Sequence, residues 1–362
     1  MCDVPALRFP EFTGEWERHK LSEVCSFYSG GTPSSSKKEY YNGNIPFIRS
    51  GELHKDYTEL FITEAGLSNS AAKLVETGDL LLALYGATSG DIAISKIKGA
   101  INQAILCIRT KQNKKFIESV WNKHVERLLQ TYLQGGQGNL SADIVKNIPF
   151  YFANSNEQDK LAKFISLLDE RIATQNKIIE KLETLIKGIV ETVISSQKPN
   201  TLIKNCLECN LSTLQESQVA KTGTFPVYGA TGISGYTETA DINGESILII
   251  KDGSGVGTVK FVTGKYSYIG TLNSLTVKDG YCLKYIYFAL QRLSFEPYKT
   301  GMAIPHIYFK DYGKAKIFCP TIKEQFAIAK RISSIEVKVS VEKRILFYYQ
   351  AQKSYLLSQM LI

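Results

Sequence analysis

The sequence predicts an α+β protein: two mixed strand-and-helix globular units, each followed by a long helix, the whole related by an internal repeat. Three observations carry this. The first is a heptad seam of Leu161, Ile165, Leu168, Ile172, Gln175, Ile179, Leu182, Ile186, Ile189 and Val193, in which Gln175 is the one polar member. Its steps alternate four and three, the pattern of a helix that packs on a second long helix rather than on a broad core. At 1.5 Å per residue the seam rises about 48 Å. The second observation supplies the other helix. Moving each position 167 residues along gives Ile328, Ile332, Ile335, Val339, Glu342, Leu346, Tyr349, Lys353, Leu356 and Met360, with Glu342 at the step of Gln175. The third is that both helices open on the same pair, Glu157-Gln158 and Glu324-Gln325. A repeat this long is not a solenoid unit.

The repeat divides the chain into residues 1–156, a helix over 157–197, residues 198–321 and a helix over 322–362. In the first unit, residues 1–15 read as an irregular leader, and order begins at Trp16-Glu17-Arg18 with a short element over Leu21–Val24. Phe27–Tyr41 is rich in Gly and Ser and reads as an exposed loop. Asn44–Arg49 reads as a strand, Gly51–Thr58 as a polar loop, and Gly78–Tyr85 as a buried strand. Gly86–Gly90 is a tight turn into Asp91–Ser95, and Ala100–Ile108 is a further strand. A helix near Phe116–Leu133 and a loop over Gly135–Asn139 lead to a strand at Ile148–Phe152. The second unit retraces the order after the linker Gln197–Asn200. Gly244–Ile250 matches Gly78–Tyr85, Gly253–Gly257 matches the Gly86–Gly90 turn, and Tyr268–Val277 matches Ala100–Ile108. Leu283–Gln291 is the helix, Thr300–Ile307 matches Gly135–Leu140, and Ile317–Pro320 matches the strand before the first long helix.

Composition narrows the class. The chain has 362 residues, 44% of them apolar and 11% aromatic, enough for sizeable cores. No run approaches the ~18 apolar residues of a membrane span, and the first residues lack a signal-peptide layout, so a cytoplasmic protein without membrane contact is expected. Seven scattered cysteines argue for reduced thiols. Cys206 and Cys209 form a lone C-x-x-C with no second pair, so no metal site is expected. Net charge is +8, concentrated in residues 198–321 and 322–362 at +4 each. That excess is compatible with nucleic acid and modest for a stand-alone DNA binder, so a partner is expected to share the phosphate contacts.

Motifs for chemistry do not assemble. Gly253, Gly255 and Gly257 suggest a nucleotide loop, but such a loop must enter a helix. Here Thr258–Val262 is strand-like, and a hairpin turn is the better reading. Asn44-Ile45-Pro46-Phe47 and Asn147-Ile148-Pro149-Phe150 echo the loop of DNA adenine methyltransferases. Ile45 and Ile148 break that pattern, and no methyl-donor site precedes either copy. The four histidines are dispersed, and no nucleophile set or nuclease carboxylate pair appears.

Loops carrying side chains able to bond base edges or phosphates recur in both halves. The candidates are Arg49, Ser50, His54, Lys55 and Tyr57 on one loop, and Tyr85, Thr88 and Ser89 on the next. Gln103 is expected on the strand that follows, with Gln134, Gln137 and Asn139 further on. In the second half they are Lys251, Asp252, Ser254, Asn273, Lys299 and His306.

With Trp16-Glu17, Asn44–Arg49, the Ile-Pro-Phe and Ile-Phe-Cys-Pro strands and Glu-Gln at the mouth of each helix, the chain resembles the specificity subunit of type I restriction–modification systems from about Trp16 to its end. The second half lacks a clear Trp-Glu start, and Pro305-His306-Ile307 stands where the first has Gly138-Asn139-Leu140. The resemblance implies that each globular unit is a target recognition domain reading half of a split double-stranded DNA site. It implies that the helices form an antiparallel coiled coil, which spaces the domains and docks two methylation subunits. It implies no catalysis in this chain: methyl donor and ATP belong to the methylation and motor–nuclease subunits. A 48 Å strut spans about 14 base pairs at 3.4 Å each, enough to set readers on successive major-groove faces. Full antiparallel alignment places Gln175 opposite Leu346 and Glu342 opposite Ile179, with the two polar residues in adjacent layers fixing register. The alternative is a DNA- or protein-binding scaffold outside restriction that uses the coiled coil for assembly. A fused methyltransferase–nuclease is strongly disfavoured by the missing motifs and the length.

Overall fold

The computed structural model describes residues 4–133, 139–301 and 303–362. They form two compact units, one of residues up to Gln175 with Ile345–Ile362, the other of Asn176–Arg344.

The first unit runs β1 (Glu17–Lys20), α1 (Leu21–Val24), β2 (Cys25–Ser29), β3 (Tyr41–Ile48), β4 (Phe61–Ile62), α2 (Glu64–Ser68) and β5 (Lys73–Val75). It continues with β6 (Leu80–Ala83), β7 (Ile92–Ile94), β8 (Gly99–Ile101), β9 (Ile105–Thr110), α3 (Lys114–Leu133), α4 (Ala142–Asn147) and β10 (Pro149–Phe152). The first long helix, α5 (Ser155–Val190), begins here; its last turn, Glu191–Ser195, is π-helical. The second unit adds β11 (Thr201–Leu202), α6 (Ile203–Cys206), β12 (Leu207–Leu211), β13 (Phe225–Gly229), β14 (Gly232–Thr237) and β15 (Ile242–Ile250). Then come β16 (Val259–Tyr268), β17 (Leu272–Val277), α7 (Leu283–Leu290), α8 (Phe309–Tyr312), β18 (Lys316–Ile317) and the second long helix, α9 (Ile322–Met360).

The expected repeat is present as a hydrogen-bond frame. The antiparallel sheet β2-β9-β6-β7 of the first unit has the order of β12-β17-β15-β16 in the second. In the first, Leu80 pairs Ile108 and Ala83 pairs Ile105; in the second, Ile247 pairs Leu275 and Ile250 pairs Leu272. The glycine turns match bond for bond: Gly90 N–H donates to Ala83 as Gly257 does to Ile250, and Ala83 to Asp91 as Ile250 does to Thr258. β15 does the work of β5 and β6 in one strand, and β16 that of β7 and β8. Accordingly β3 runs parallel to β8 and β13 parallel to β16. The frames part company after β3 and β13. The first unit inserts residues 49–72, with β4 and α2, where the second has only residues 229–239 with β14.

The run Leu80–Ala83 is buried along its whole length because both faces are covered. Leu80 and Leu82 join the core of Trp16, Phe116 and Trp121, while Leu81 and Ala83 face Ile48, Val75 and Ile105. In the second unit Ile247 and Ile249 face Tyr285 and Phe288, and Leu248 and Ile250 face Val262 and Tyr266.

All the expected seam residues are buried or half-buried, Gln175 and Glu342 included, while neighbours such as Lys177, Glu180 and Lys181 are exposed. In the first unit Leu161, Ile165 and Leu168 line a common cleft with Leu356 and Met360. Lys353 pairs with Asp169 at 2.5 Å, and the Arg171 guanidinium lies 4.7 Å from the Tyr349 ring centroid. In the second, Ile186 and Ile189 pack with Ile328 and Ile332, and Lys343 pairs with Glu183 at 2.7 Å. In each unit a stretch of α5 thus runs antiparallel beside one of α9.

Four expectations need correction. Ala100–Ile108 is two strands, because Asn102 Oδ1 accepts the Ala104 N–H and turns the chain from one sheet to the next. The loop expected over Phe27–Tyr41 is shorter: Cys25–Ser29 pairs with β9, and Tyr40 is buried. The leader is irregular but fastened: Leu7 N–H donates to Gln359 O, and Arg8 forms two bonds to Glu157. Short elements such as β5, α4 and β11–β14 escape the sequence reading, since strands this brief carry too few alternations to show a period.

Candidate nucleic-acid interface

The candidate side chains gather where β6 and β15 end. In the first unit the Leu84 N–H donates to Ala104 O, and Leu84 O accepts from Leu140 N–H. Those bonds bring Tyr85, Gln103 and Asn139 together. In the second, Lys251 N–H donates to Thr271 O and Lys251 O accepts from Ile307 N–H, bringing Asp252, Ser254 and His306 together. The equivalence of Asn139-Leu140 with His306-Ile307, expected from sequence order, is thus a shared bond to the same strand end.

The inserted loop of the first unit docks on the glycine turn. His54 Nε2 is 2.8 Å from Asp91 Oδ1, and Lys96 Nζ donates to His54 O at 2.8 Å. The Asp91 carboxylate raises the His54 pKa, outweighing partial burial. Lys55 Nζ lies 5.0 Å from the Tyr57 ring centroid, and Tyr57 is among the most exposed aromatics of the unit. Tyr85 is exposed beside them, and Thr88 is half-exposed on the turn. Ser89 Oγ donates to Leu84 O, so that hydroxyl helps shape the turn.

Arg49 lies on the inserted loop as expected, its side chain 47% exposed; its Nη2 meets Glu52 at 2.7 Å and Glu59 at 2.9 Å, so the guanidinium also organises the loop. Burial alone would raise the Glu52 carboxyl, but the hydrogen bonds of Arg49 and Thr58 outweigh it and hold it at about 2. Gln103 lies in the turn between β8 and β9, not on a strand, and its Oε1 accepts from Thr32 Oγ1 at 2.8 Å. Gln134 and Gln137 lie outside the described residues.

In the second unit Ser254 is exposed on the turn, and Lys251 is half-buried 3.7 Å from Asp252. Lys299 pairs with Glu296. Thr300 and His306 exchange backbone bonds, and the His306 ring meets Tyr308 edge to face at 5.1 Å. Asn273 must be removed from the readers: it is the second residue of β17 and only 2% exposed. Its position on a strand whose two faces are both covered explains this. Arg49, His54, Lys55 and Tyr57 have no equivalents in the second unit, because they lie on the insert that it lacks.

Three structural residues show no role in the sequence alone. Trp121 Nε1 donates to Gly90 O at 2.8 Å, tying α3 to the glycine turn. Gln158 and Gln325, each 1% exposed, bond the first turns of α5 and α9 to the junctions before α3 and α7. Their recurrence was visible; their partners were not. Among the described residues no three His, Cys, Asp or Glu side chains stand together as a metal site, and no helix is long and apolar enough to cross a membrane.

One frame is thus built twice, with unlike loops at the same strand end. The chain belongs to the family described as type I restriction modification DNA specificity domain, which it matches over residues 13–184 and 207–346. It is 27% identical over 187 residues to the EcoR124I/EcoR124II specificity subunit of Escherichia coli, covering 49% of this chain and 45% of that one. To the MjaVIII specificity subunit of Methanocaldococcus jannaschii it is 24% identical, covering 53% and 44%. The chain thus matches somewhat under half the length of these two curated relatives. With the EcoprrI specificity subunit of Escherichia coli the match is longer, 22% identical over 85% of this chain and 84% of the relative. Among solved structures, the type I restriction–modification S subunit from M. genitalium superposes with a TM-score of 0.69 at 16% identity, covering 99% of both chains. A structure from a study of complex assembly and conformational transition in the type I restriction–modification system gives 0.57 at 14% identity, covering 95% of this chain and 97% of that one. These two likenesses are of fold.

Proposed function

We propose that this chain is the DNA-binding specificity subunit of a type I restriction–modification complex. Residues 1–156 and 198–321 are its two target recognition domains, each reading one half of a bipartite double-stranded site. The helices over 157–197 and 322–362 set the spacing between them. The observation that carries this reading is the frame repeated bond for bond while the loops at its reading edge differ. A shared frame delivers loops to one strand end, and unlike loops read unlike bases.

In the first domain Lys55, Tyr57, Tyr85, Thr88 and Asn139 face the DNA, with His54 holding the inserted loop on the turn. In the second the edge is Lys251, Ser254, Lys299 and His306. The net charge of +8 is small for such a footprint, so partner subunits supply part of the phosphate contact. The chain itself performs no bond chemistry. Methyl donor and ATP bind the methylation and motor–nuclease subunits.

The helices dock two methylation subunits. Supporting this, Phe347, Tyr348 and Tyr355 in the first unit and Val337 and Val341 in the second are exposed apolar side chains on α9, outside the seam. The test is to co-express the chain with a type I methylation subunit in a host lacking adenine methylation and map N6-methyladenine. A two-part motif with a fixed unspecified gap is expected. No methylation from a soluble, associated complex would overturn the reading.

A further inference from the structure

We infer that Gln158 and Gln325 are positioning residues that fix the gap between the half-sites by clamping each recognition frame to its own helix. This rests on the reading above and deepens it. Gln158 Oε1 accepts the Asn113 N–H at 3.1 Å, while its Nε2 donates to Ala153 O at 2.7 Å and Gln112 Oε1 at 2.8 Å. Gln325 repeats the arrangement: Oε1 accepts the Cys282 N–H at 3.0 Å, and Nε2 donates to Pro320 O at 2.9 Å. Asn113 and Cys282 are the residues at which the chain enters α3 and α7. Each amide therefore joins the first turn of a long helix to the start of the helix that backs the reading frame. A buried primary amide with both ends bonded fixes two directions at once, which an apolar side chain at that place cannot do.

The helix it holds acts as a lever on the reading edge. Asn113 Oδ1 caps α3 by accepting the Phe116 N–H. Further along, Trp121 bonds Gly90 O, and Val125 and Leu129 close on Gly90 so tightly that an added Cβ would stand 2.9 Å from Val125 Cγ2. Gly90 ends the turn that carries Tyr85 and Thr88. In the second unit Phe295, just beyond α7, closes on Gly257 in the same way, 2.8 Å from where a Cβ would be. The 20 residues of α3 rise about 30 Å, so a tilt of about 7° moves its far end by roughly 3.5 Å, one base-pair step. A clamp that holds this angle to a few degrees selects one gap length.

The two clamps differ in strength. At the first, Gln158 has an extra bond to Gln112, and neighbouring Glu157 is tied to Arg8 through two 2.7 Å bonds. At the second, Glu324 is exposed and bonds only Thr321 of its own cap. Gln325 variants are therefore expected to relax the gap more than Gln158 variants.

The test uses the full chain assembled with its methylation subunits, on duplexes whose half-sites are separated by the natural gap or by one base pair more or less. The unmodified complex should prefer its own gap by about tenfold or more. Gln158→Leu and Gln325→Leu should narrow that preference to about threefold or less, leaving the bases read in each half unchanged. Gln158→Asn, whose shorter amide keeps the polarity but cannot reach both partners, should narrow it too, and serves if the leucine variant does not fold. If folded variants lose methylation equally at every gap, the glutamines are structural only and the inference is overturned. If the unmodified complex itself shows no gap preference, the proposed function fails instead.

Discussion

The Arg8–Glu157 pair makes the sharpest test of how the first unit is held. Arg8 Nε and Nη2 each reach a Glu157 oxygen at 2.7 Å, and Arg8 Nη1 donates to Gly14 O at 2.6 Å. The Glu157 side chain is 1% exposed and that of Arg8 16%. Arg8→Met leaves a buried carboxylate without its cation, which costs about 3–5 kcal/mol. Arg8→Met with Glu157→Leu removes both charges, and an apolar pair of similar volume is expected within about 1 kcal/mol of the parent. Urea unfolding followed by tryptophan fluorescence isolates the unit, because Trp16 and Trp121, the chain's two tryptophans, both lie buried in it. With a slope of about 2 kcal/mol/M, the single variant should unfold at a midpoint about 1.5–2.5 M lower, and the double should recover most of the loss. Equal losses in single and double variants would refute the reasoning, since they would mean the leader contributes packing and not charge compensation.

Two further expectations concern the same frame. Asp169 lies between Lys115 at 2.8 Å and Lys353 at 2.5 Å. Burial favours its neutral form, but the two ammonium groups outweigh this and lower its pKa. A lowered carboxylate stabilises the fold above the unfolded pKa and loses that contribution as pH falls through the folded value. Asp169→Asn should therefore lower stability by about 1–2 kcal/mol at neutral pH and by almost nothing in acid, read as thermal midpoints against pH; a difference independent of pH would contradict it. Gly90→Ala must adopt a φ of +87° and press on Val125, while Gly257→Ala meets φ +91° and Phe295. Each should destabilise its own unit by about 1–3 kcal/mol and weaken base discrimination in one half-site alone, measured on duplexes mutated in either half.

The long helices were legible because a seam of ten positions leaves little room for another arrangement, and its duplication fixed the partner. The central strands Leu80–Ala83 and Ile247–Ile250 were legible for a similar reason: a continuous apolar run beside a glycine turn has few places to go. What could not be read was pairing. Nothing local to Ala100–Ile108 tells that Asn102 turns the chain between sheets, and Asn273 looks like any polar strand residue until both faces of β17 are covered. Nothing local names the carboxylates that meet Arg49: buried Glu52 and exposed Glu59 lie on its own loop, and only the fold brings them to the guanidinium. Gln158 and Gln325 announced themselves by recurrence alone, since the partners that tie them to the starts of α3 and α7 lie 43 to 46 residues away in sequence.

The central claim is that the chain carries two independent readers on one repeated frame. The most direct measurement is to replace residues 16–156 with the corresponding segment of another family member whose methylation motif is known, and then map N6-methyladenine in the presence of the methylation subunits. The account predicts a motif in which one half changes to that of the donor while the other half and the gap stay as they were. A motif changed in both halves, or one left unchanged, would contradict it.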